Sequence, residues 1–372
     1  MRMSNTKLDS EAFLERTLKK MDDCDYETAL KDINVGIELD PNNSGFHYCR
    51  GHIKLLLGDN KDAIEDLSFA IKLEPDEPIY FFYRGFAKSE LKNHEDAIKD
   101  YTAAINLYSG ESTYFYNRGK EQFVLERYEN AIKDYSEAIN LNYKDEDYFF
   151  WRGRAKVNLK KYSEAILDFE MGLALAPESP KFYNSIGYTK SFLGDHEGAL
   201  KYLNKAIDLD DSNHHYFFNR GVDYMCLRKY DYALKDFTSA ITLNHDFNAN
   251  HFFYRGEANV RLGNLDNAKR DFNRVLSIDP EYERAKDSLS VISDDMRMKI
   301  KISDEKIEEL DILLNKLEPL EKDVLCQLFG IENLGWKKTH SDIAKSLNLP
   351  EERIIEIEKI ALEKLRFFMN NS

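Results

Sequence analysis

The 372-residue sequence has few of the features that mark secreted, membrane-spanning or metal-binding proteins. Its four cysteines, Cys24, Cys49, Cys226 and Cys326, are spaced neither as a disulfide framework nor as a metal-binding motif. No apolar run is long enough to cross a membrane, and residues 1–20 contain no apolar signal core. Reduced cysteines in a cytoplasmic protein are the simplest interpretation.

Positive charge and catalytic groupings are also scarce. The sequence has 52 basic and 67 acidic residues, a net charge of −15. Residues 301–372 contain 11 basic and 15 acidic residues, which leaves 41 and 52 for the remainder, so neither segment has the basic excess of a nucleic-acid-binding surface. Nine histidines are scattered and no glycine-rich phosphate loop is present, so the sequence predicts no enzyme, no cofactor and no metal site.

A repeat of 34 residues dominates the rest of the pattern. Glycines recur at this step, with one extra residue before the last, and an alanine follows each glycine by 12 residues: Gly51, Gly85, Gly119, Gly153, Gly187, Gly221 and Gly256; Ala63, Ala97, Ala131, Ala165, Ala199, Ala233 and Ala268. Thr17 and Ala29 extend the register backwards, which predicts eight repeats. Apolar residues at helical spacing form two segments in each repeat, and prolines follow the second segment in four of them: Pro41, Pro75, Pro177 and Pro280. Stacked two-helix units of this kind usually bind other molecules rather than catalyse.

The pattern resembles the tetratricopeptide repeat family over roughly residues 8–297. The shared features are the glycine, the two small positions, the terminal proline and the large residue 16 positions after the glycine, such as Tyr135 or Phe169. The resemblance implies an all-α fold, a right-handed superhelical solenoid of eight helix-turn-helix repeats. Residues 281–292 are predicted to form an extra helix that caps the last repeat.

An arginine and an aspartate depart from the usual family pattern together. Arginine precedes the glycine position in seven repeats, and aspartate lies 16 residues after each arginine. The sixth repeat has Ile186 and Tyr202 instead, so both partners are missing from the same repeat. This shared exception predicts an arginine–aspartate pair between the two helices of each repeat, rather than unpaired surface charges.

The family places the first helix of each repeat along an inner groove. Residues three before, one after and four after each glycine share a face of that helix, and the candidate groove residues there are Tyr48, Phe82, Phe86, Tyr116, Lys120, Phe150, Arg154, Tyr188, Phe218 and Phe253. One interpretation is that the aromatic residues only pack between repeats. The other is a hydrophobic groove with Lys120 and Arg154 at its centre, suited to a peptide that carries an acidic residue or a free carboxylate. The lysine and asparagine clamp of some family members is not expected, because aromatic residues occupy the place of its first lysine.

The period ends after Pro280, and a second module is predicted at residues 304–372 after a hinge at residues 298–303. Helices are expected over residues 305–317, from Pro319 to about Leu328, after the helix cap Thr339, and from Pro350 onward. Two short helices and a longer one indicate a helix-turn-helix domain.

Residues 317–331 and 339–366 resemble region 4 of the bacterial sigma factors, so a similar helix-turn-helix scaffold is implied over residues 304–368. Region 4 reads promoter DNA with polar and basic residues early in its last helix. The corresponding face here is Glu351, Glu352, Arg353, Ile355 and Glu356. Glutamates repel phosphates and isoleucine donates no hydrogen bond to guanine, so the face is predicted to favour protein over DNA. Lys337, Lys338 and Lys345 form only a small basic rim. Val324, Leu325, Leu328 and Phe329 are candidates either for a polymerase contact or for the domain's own core.

These observations favour a cytoplasmic bacterial regulator in which the repeats bind a protein or peptide and the C-terminal module contacts RNA polymerase or, weakly, DNA. No membrane partner is expected. The alternative is a general interaction scaffold whose helix-turn-helix is degenerate and binds no DNA.

Overall fold

The computed structural model describes the backbone of residues 2–244, 248–293, 312–329 and 338–370, and the side chains of residues 12–244, 248–292, 312–329 and 338–368. The chain divides into two compact units, residues 1–177 and 178–372, and each is described by itself. The first contains α1 (Arg2–Asp22), α2 (Tyr26–Leu39), α3 (Ser44–Leu56), α4 (Asn60–Leu73), α5 (Pro78–Glu90), α6 (His94–Leu107), α7 (Ser112–Val124), α8 (Tyr128–Leu141), α9 (Glu146–Asn158) and α10 (Tyr162–Leu175).

The second unit continues the helical pairs and adds the C-terminal helices. It contains α11 (Pro180–Phe192), α12 (His196–Leu209), α13 (His214–Cys226), α14 (Tyr230–Leu243), α15 (Ala249–Arg261), α16 (Leu265–Ile278), α17 (Glu283–Ser293), α18 (Pro319–Phe329), α19 (His340–Leu347) and α20 (Glu351–Asn370). The helices α1 to α16 form the eight predicted pairs, and α17 is the predicted extra helix.

Close contact at the repeated glycine brings the two helices of each pair together. A β-carbon added to Gly119 would lie 2.8 Å from the Tyr135 ring, and one added to Gly153 would lie 2.5 Å from the Phe169 ring. No side chain fits at such distances in a close-packed interior. Both rings are fully buried, so the glycine and the large residue 16 positions later form the centre of each repeat.

The turn inside each repeat uses a left-handed backbone conformation. The residue seven positions after the glycine position has φ between 57° and 61° in five repeats and between 78° and 85° in three: Cys24, Lys92, Glu126, Lys160 and Arg228; Gly58, Gly194 and Gly263. Only the three glycines adopt it without steric cost. The same turn therefore forms in all eight repeats whether or not its residue favours it.

The predicted arginine–aspartate pairs are confirmed in all seven repeats that have both residues. In the fourth repeat, Arg118 Nε and Nη2 donate to the two oxygens of Asp134 at 2.9 and 2.6 Å. Five other repeats have the same two-pronged geometry, and Arg16 makes one such bond to Asp32 at 3.0 Å. Burial raises the pKa of the Asp134 carboxyl, and the bond from Arg118 offsets part of that effect.

Each pair extends to further helices in a way that the sequence did not reveal. Arg118 Nη1 donates to Thr102 in the second helix of the preceding repeat at 3.1 Å, and the same bond recurs in four other repeats. A lysine three residues after the glycine position also binds the aspartate in four repeats, as Lys88 does to Asp100 at 2.7 Å. The arginine therefore joins three helices and links one repeat to the one before it.

Two polar networks join successive repeats through a buried acid. In one, Glu121 accepts bonds from Ser89 and pairs with His94 Nδ1, both at 2.6 Å. In the other, Asp223 accepts from Ser191 and pairs with His196 Nδ1, both at 2.8 Å. These bonds satisfy carboxylates that would otherwise be costly to bury.

The C-terminal helices enclose two small clusters of buried residues. Val324, Ile343 and Ile354 lie in one, while Leu325 and Leu365 lie in the other. A capping box of Thr339 and Asp342 begins α19 as predicted, and salt bridges of 2.7 and 2.8 Å hold α20 to its neighbours: Lys364 with Glu321, and Glu358 with His340. The predicted hinge lies outside the described residues, as does most of the helix predicted at residues 305–317.

Candidate functional site

The predicted inner face of the first unit is a row of half-buried aromatic side chains. Each ring contacts a tyrosine of the next repeat: Tyr48 with Tyr80 at 5.2 Å between centroids, Phe82 with Tyr114 at 5.0 Å, and Tyr116 with Tyr148 at 5.0 Å. These contacts fit the interpretation that the aromatics pack between repeats. The rings nevertheless keep part of their surface exposed, so packing and ligand contact are compatible here.

The two central cations lie over aromatic rings. Lys120 Nζ is 5.6 Å from the centroid of Tyr116. The exposed guanidinium of Arg154 is 4.7 Å from the Trp151 ring, 5.3 Å from Phe123 and 5.7 Å from Phe150. Cation–π contact fixes the position of both charges while leaving them near solvent. The sequence placed Lys120 and Arg154 here but did not single out Trp151 or Phe123.

Beside these cations, the first helices of the third, fourth and fifth repeats enclose an open pocket of about 460 Å³. Two predicted groove residues, Phe82 and Tyr116, line it, together with Ile79, Tyr83, Glu111, Thr113, Tyr114, Asn117, Asp145 and Tyr148. Burial, with Asp147 and Asp145 nearby, raises the pKa of the Tyr116 hydroxyl. Sequence reasoning missed the two carboxylates of the lining because Glu111 and Asp145 precede the helices.

The remaining predicted groove positions differ in exposure. Phe86 and Tyr188 are 38% and 42% exposed, and Phe218 is half-buried. Phe253 is only 1% exposed, so the prediction that it lines an accessible groove is wrong. The capping helix explains this, because Tyr282 and Arg284 beside it lie against the Phe253 ring at 5.2 and 4.4 Å.

The first turns of α20 present the second candidate surface. Glu351, Glu352, Arg353, Ile355 and Glu356 are all exposed, and the Ile355 side chain is 48% exposed. The Arg353 guanidinium donates to the Glu356 carboxylate, which leaves the two other glutamates to dominate the charge of this face. Lys338 binds the Gln327 amide oxygen at 2.9 Å, and Lys337 lies outside the described residues.

Three comparisons with known proteins identify both parts of the chain. A family model for the tetratricopeptide repeat matches residues 50–112, 116–180 and 218–283, more than half of the chain, and a second model with this description matches residues 180–213. The chain belongs to the tetratricopeptide repeat family.

Solved structures of tetratricopeptide repeat type agree with this. A tetratricopeptide repeat protein from Parabacteroides merdae is 17% identical, with a TM-score of 0.51 over 67% of this chain and 98% of that one. The APC/C hetero-tetramer Cut9–Hcn1 is 16% identical, with a TM-score of 0.54 over 72% and 52%. Identities this low concern the fold alone, and they confirm the predicted all-α repeat fold.

The C-terminal part of this tetratricopeptide repeat protein matches a different family. Residues 313–366 match the model for sigma-70, region 4. RNA polymerase sigma factor SigA of Nostoc sp. strain PCC 7120 is 42% identical over 65 residues, 18% of this chain and 16% of that protein. SigA of Synechocystis sp. strain PCC 6803 is also 42% identical over 65 residues, so the chain spans only 15–16% of the length of these sigma factors. The predicted resemblance to region 4 is confirmed.

Membrane and metal sites were also sought in the tetratricopeptide repeat protein. Within the part of the chain that the structure describes, no helix is long and apolar enough to span a membrane. Among the same residues, no group of three or more histidine, cysteine or acidic side chains is placed to hold a metal ion.

Proposed function

We propose that this protein is a cytoplasmic regulator that binds a protein or peptide segment along its first helices and contacts the bacterial transcription machinery through its C-terminal domain. The observation that carries the first half is the central cluster of Tyr116, Lys120, Phe150 and Arg154. Aromatic rings hold two cations at an accessible surface there. Aromatic and arginine side chains are common anchors of protein interfaces.

The cations favour a partner with a carboxylate, from an acidic side chain or a chain terminus. Arg154 offers a planar donor that suits two-pronged binding of a carboxylate, and Lys120 adds a second positive charge nearby. The surrounding rings supply apolar area for the rest of the segment. The partner therefore combines apolar residues with a negative charge.

The groove proposal is tested by reversing the two charges. A partner is recovered from the native host with the full chain as bait, and its affinity is measured for the wild type and for Lys120→Glu/Arg154→Glu. We expect a loss of about 2 kcal/mol or more, in the range of interface hot spots. The matched control is Lys133→Glu/Lys144→Glu, which changes the net charge equally at exposed positions outside this face. Equal affinity in all three proteins would contradict the proposal.

For the C-terminal domain we propose a protein surface rather than a promoter-reading surface. The support is the exposed Ile355 beside Glu351 and Glu352, because an apolar side chain in an acidic rim suits a protein partner and repels phosphates. RNA polymerase is the proposed partner, since sigma region 4 belongs to that machinery. Val324 and Leu325 are buried and serve the domain's core, whereas Phe329 is 36% exposed and remains available for contact.

Titration of the full chain against duplex promoter DNA and against bacterial RNA polymerase tests this. We expect polymerase binding that Ile355→Glu weakens about tenfold, the effect of losing one interface anchor. Ile360→Glu is the matched control, because Ile360 is 37% exposed on the same helix but points elsewhere. Tight, salt-sensitive DNA binding that survives Ile355→Glu would overturn the proposal in favour of promoter reading.

A general interaction scaffold is the second candidate function. The observation that favours it is the acidic face of α20, where Glu351 and Glu352 oppose DNA binding. In that case the full chain binds its groove partner but neither polymerase nor DNA, so the same titration separates the two functions.

A further inference from the structure

The open pocket beside the central cations has aromatic walls and an acidic rim. Its floor is formed by Tyr114 and Tyr148, which are 4% and 2% exposed. Phe82, Tyr83 and Tyr116 form walls that remain partly open to solvent. The pocket is therefore a shallow aromatic box with rigid buried tyrosines beneath it.

Glu111 and Asp145 supply the charge of this rim. Glu111 Oε1 accepts bonds from the backbone nitrogen and hydroxyl of Thr113 at 3.3 and 3.0 Å, and Asp145 Oδ1 accepts from the backbone nitrogen of Asp147 at 3.0 Å. These caps fix both carboxylates at the mouth of the pocket. None of the ten described residues of the lining is basic.

The charge around the pocket also affects its tyrosines. Burial, with Glu111 and Glu77 nearby, raises the pKa of the Tyr114 hydroxyl to about 12. The negative field that disfavours a second anion in this pocket favours a cation in the same place.

We propose that this pocket binds the side chain of an arginine or lysine from the partner segment. Aromatic faces attract cations, and the rim carboxylates at the mouth pair with the same charge. The inference rests on the proposed peptide-binding function and deepens it. Tyr116 lines the pocket and lies under Lys120, so a segment that fills both places carries a positive and a negative group close together.

The test uses three acetylated and amidated tripeptides, glycine-X-glycine, with X as arginine, norleucine or glutamate. Binding to the full chain is measured by saturation-transfer NMR at low salt. We expect saturable binding of the arginine peptide, about fivefold or more tighter than norleucine, the range of an exposed cation–π contact. Equal affinities for arginine and norleucine would overturn the inference.

Removing the rim charge should weaken the arginine peptide specifically. Glu111→Gln/Asp145→Asn keeps an oxygen at each helix cap and is expected to reduce its affinity about tenfold, as for loss of two ion pairs. Glu137→Gln/Glu170→Gln, an equal change at exposed positions elsewhere, is expected to leave it unchanged. An unchanged affinity in the rim variant would also overturn the inference.

The charge-reversed variant Lys120→Glu/Arg154→Glu separates this inference from the proposed function. It should bind the arginine peptide at least as well as the wild type while losing the recovered partner. If the arginine peptide fails to bind and the recovered partner is still lost, the pocket assignment is wrong and the groove proposal stands. If the arginine peptide binds but the recovered partner keeps its affinity, the groove proposal is wrong and the cation pocket stands.

Discussion

The fourth and sixth repeats reach the same local geometry with different chemistry between their helices. Each has a first helix of 13 residues and a second of 14. The fourth joins them through Arg118 and Asp134, whereas the sixth buries Ile186 and places Tyr202 5.8 Å from the Lys190 ammonium. The glycine contact and the apolar faces therefore build the pair, and the ionic link adds to a geometry that exists without it.

The largest expected effect concerns the glycine that both repeats share. Gly119→Val should lower the free energy of unfolding by about 3 kcal/mol, because the Tyr135 ring 2.8 Å from the added β-carbon has little room to move. Gly187→Val should lower it by about 2 kcal/mol, because its neighbour is the flexible Leu203. Urea denaturation measures both. A larger loss in the sixth repeat would show that the ring is not the limiting contact.

A smaller loss is expected when half of the ionic link is removed. Asp134→Ala leaves the Arg118 guanidinium, whose side chain is only 18% exposed, without its carboxylate. We expect a loss of about 2 kcal/mol in urea denaturation, the cost of an unpaired and largely buried charge.

Transplanting the sixth repeat's residues into the fourth provides the decisive control. Arg118→Ile/Asp134→Tyr removes both charges at once, and we expect its stability to lie within about 1 kcal/mol of the wild type. If the double variant is less stable than Asp134→Ala, the pair is required for the repeat and the comparison fails.

The sixth repeat has its own ionic contact, and this one depends on pH. The hydrogen bond from Asp223, with Cys226 also nearby, raises the pKa of His196 to about 10. Because the folded pKa lies above the ordinary value of about 6.5, the stabilisation is complete below pH 6.5 and is lost as pH rises through about 10. Thermal unfolding should therefore show a decline of about 2 kcal/mol across that range. His196→Gln should flatten it, and an unchanged slope in this variant would exclude His196 as the source.

The smallest expected effect lies in the turns. Glu126 holds φ at 58° in the fourth repeat, and Gly194 holds φ at 78° at the same place in the sixth. Glu126→Gly should raise stability by about 0.5 kcal/mol, and Gly194→Glu should lower it by about 1 kcal/mol, because left-handed backbone is costly for residues with a β-carbon. Chemical denaturation of both variants measures the difference, and effects of equal sign would contradict this explanation.

The sequence predicted contacts within a repeat better than contacts between repeats. Spacing along two adjacent helices determines which residues face each other, so the eight helix pairs and the pairing of Arg118 with Asp134 were found. Contacts between repeats depend also on the rotation from one to the next, which helical periodicity does not determine. The bond from Arg118 to Thr102 was missed for this reason, although small polar residues at 34-residue spacing were a usable signal.

The candidate site was predicted in part for the same reason. Lys120 and Arg154 follow from their place on the first helices, but the rim carboxylates lie before those helices and enter the site only through the stacking of repeats. The capping helix was expected, yet its coverage of Phe253 required knowing how α17 approaches α15. The groove proposal therefore depends on the first unit, where its aromatic and charged residues come together.

The two buried acid networks also preserve a history of the gene. Each residue of the first has its counterpart 102 residues later, which is three repeats of 34: Ser89 and Ser191, His94 and His196, Glu121 and Asp223. A neighbouring surface pair follows the same step, with Glu95 and Arg127 matched by Glu197 and Lys229. Duplication of a three-repeat block leaves this pattern, since copying one repeat at a time would place the network at every interface. The array thus grew in blocks, and each block carried an already tested interface into its new position.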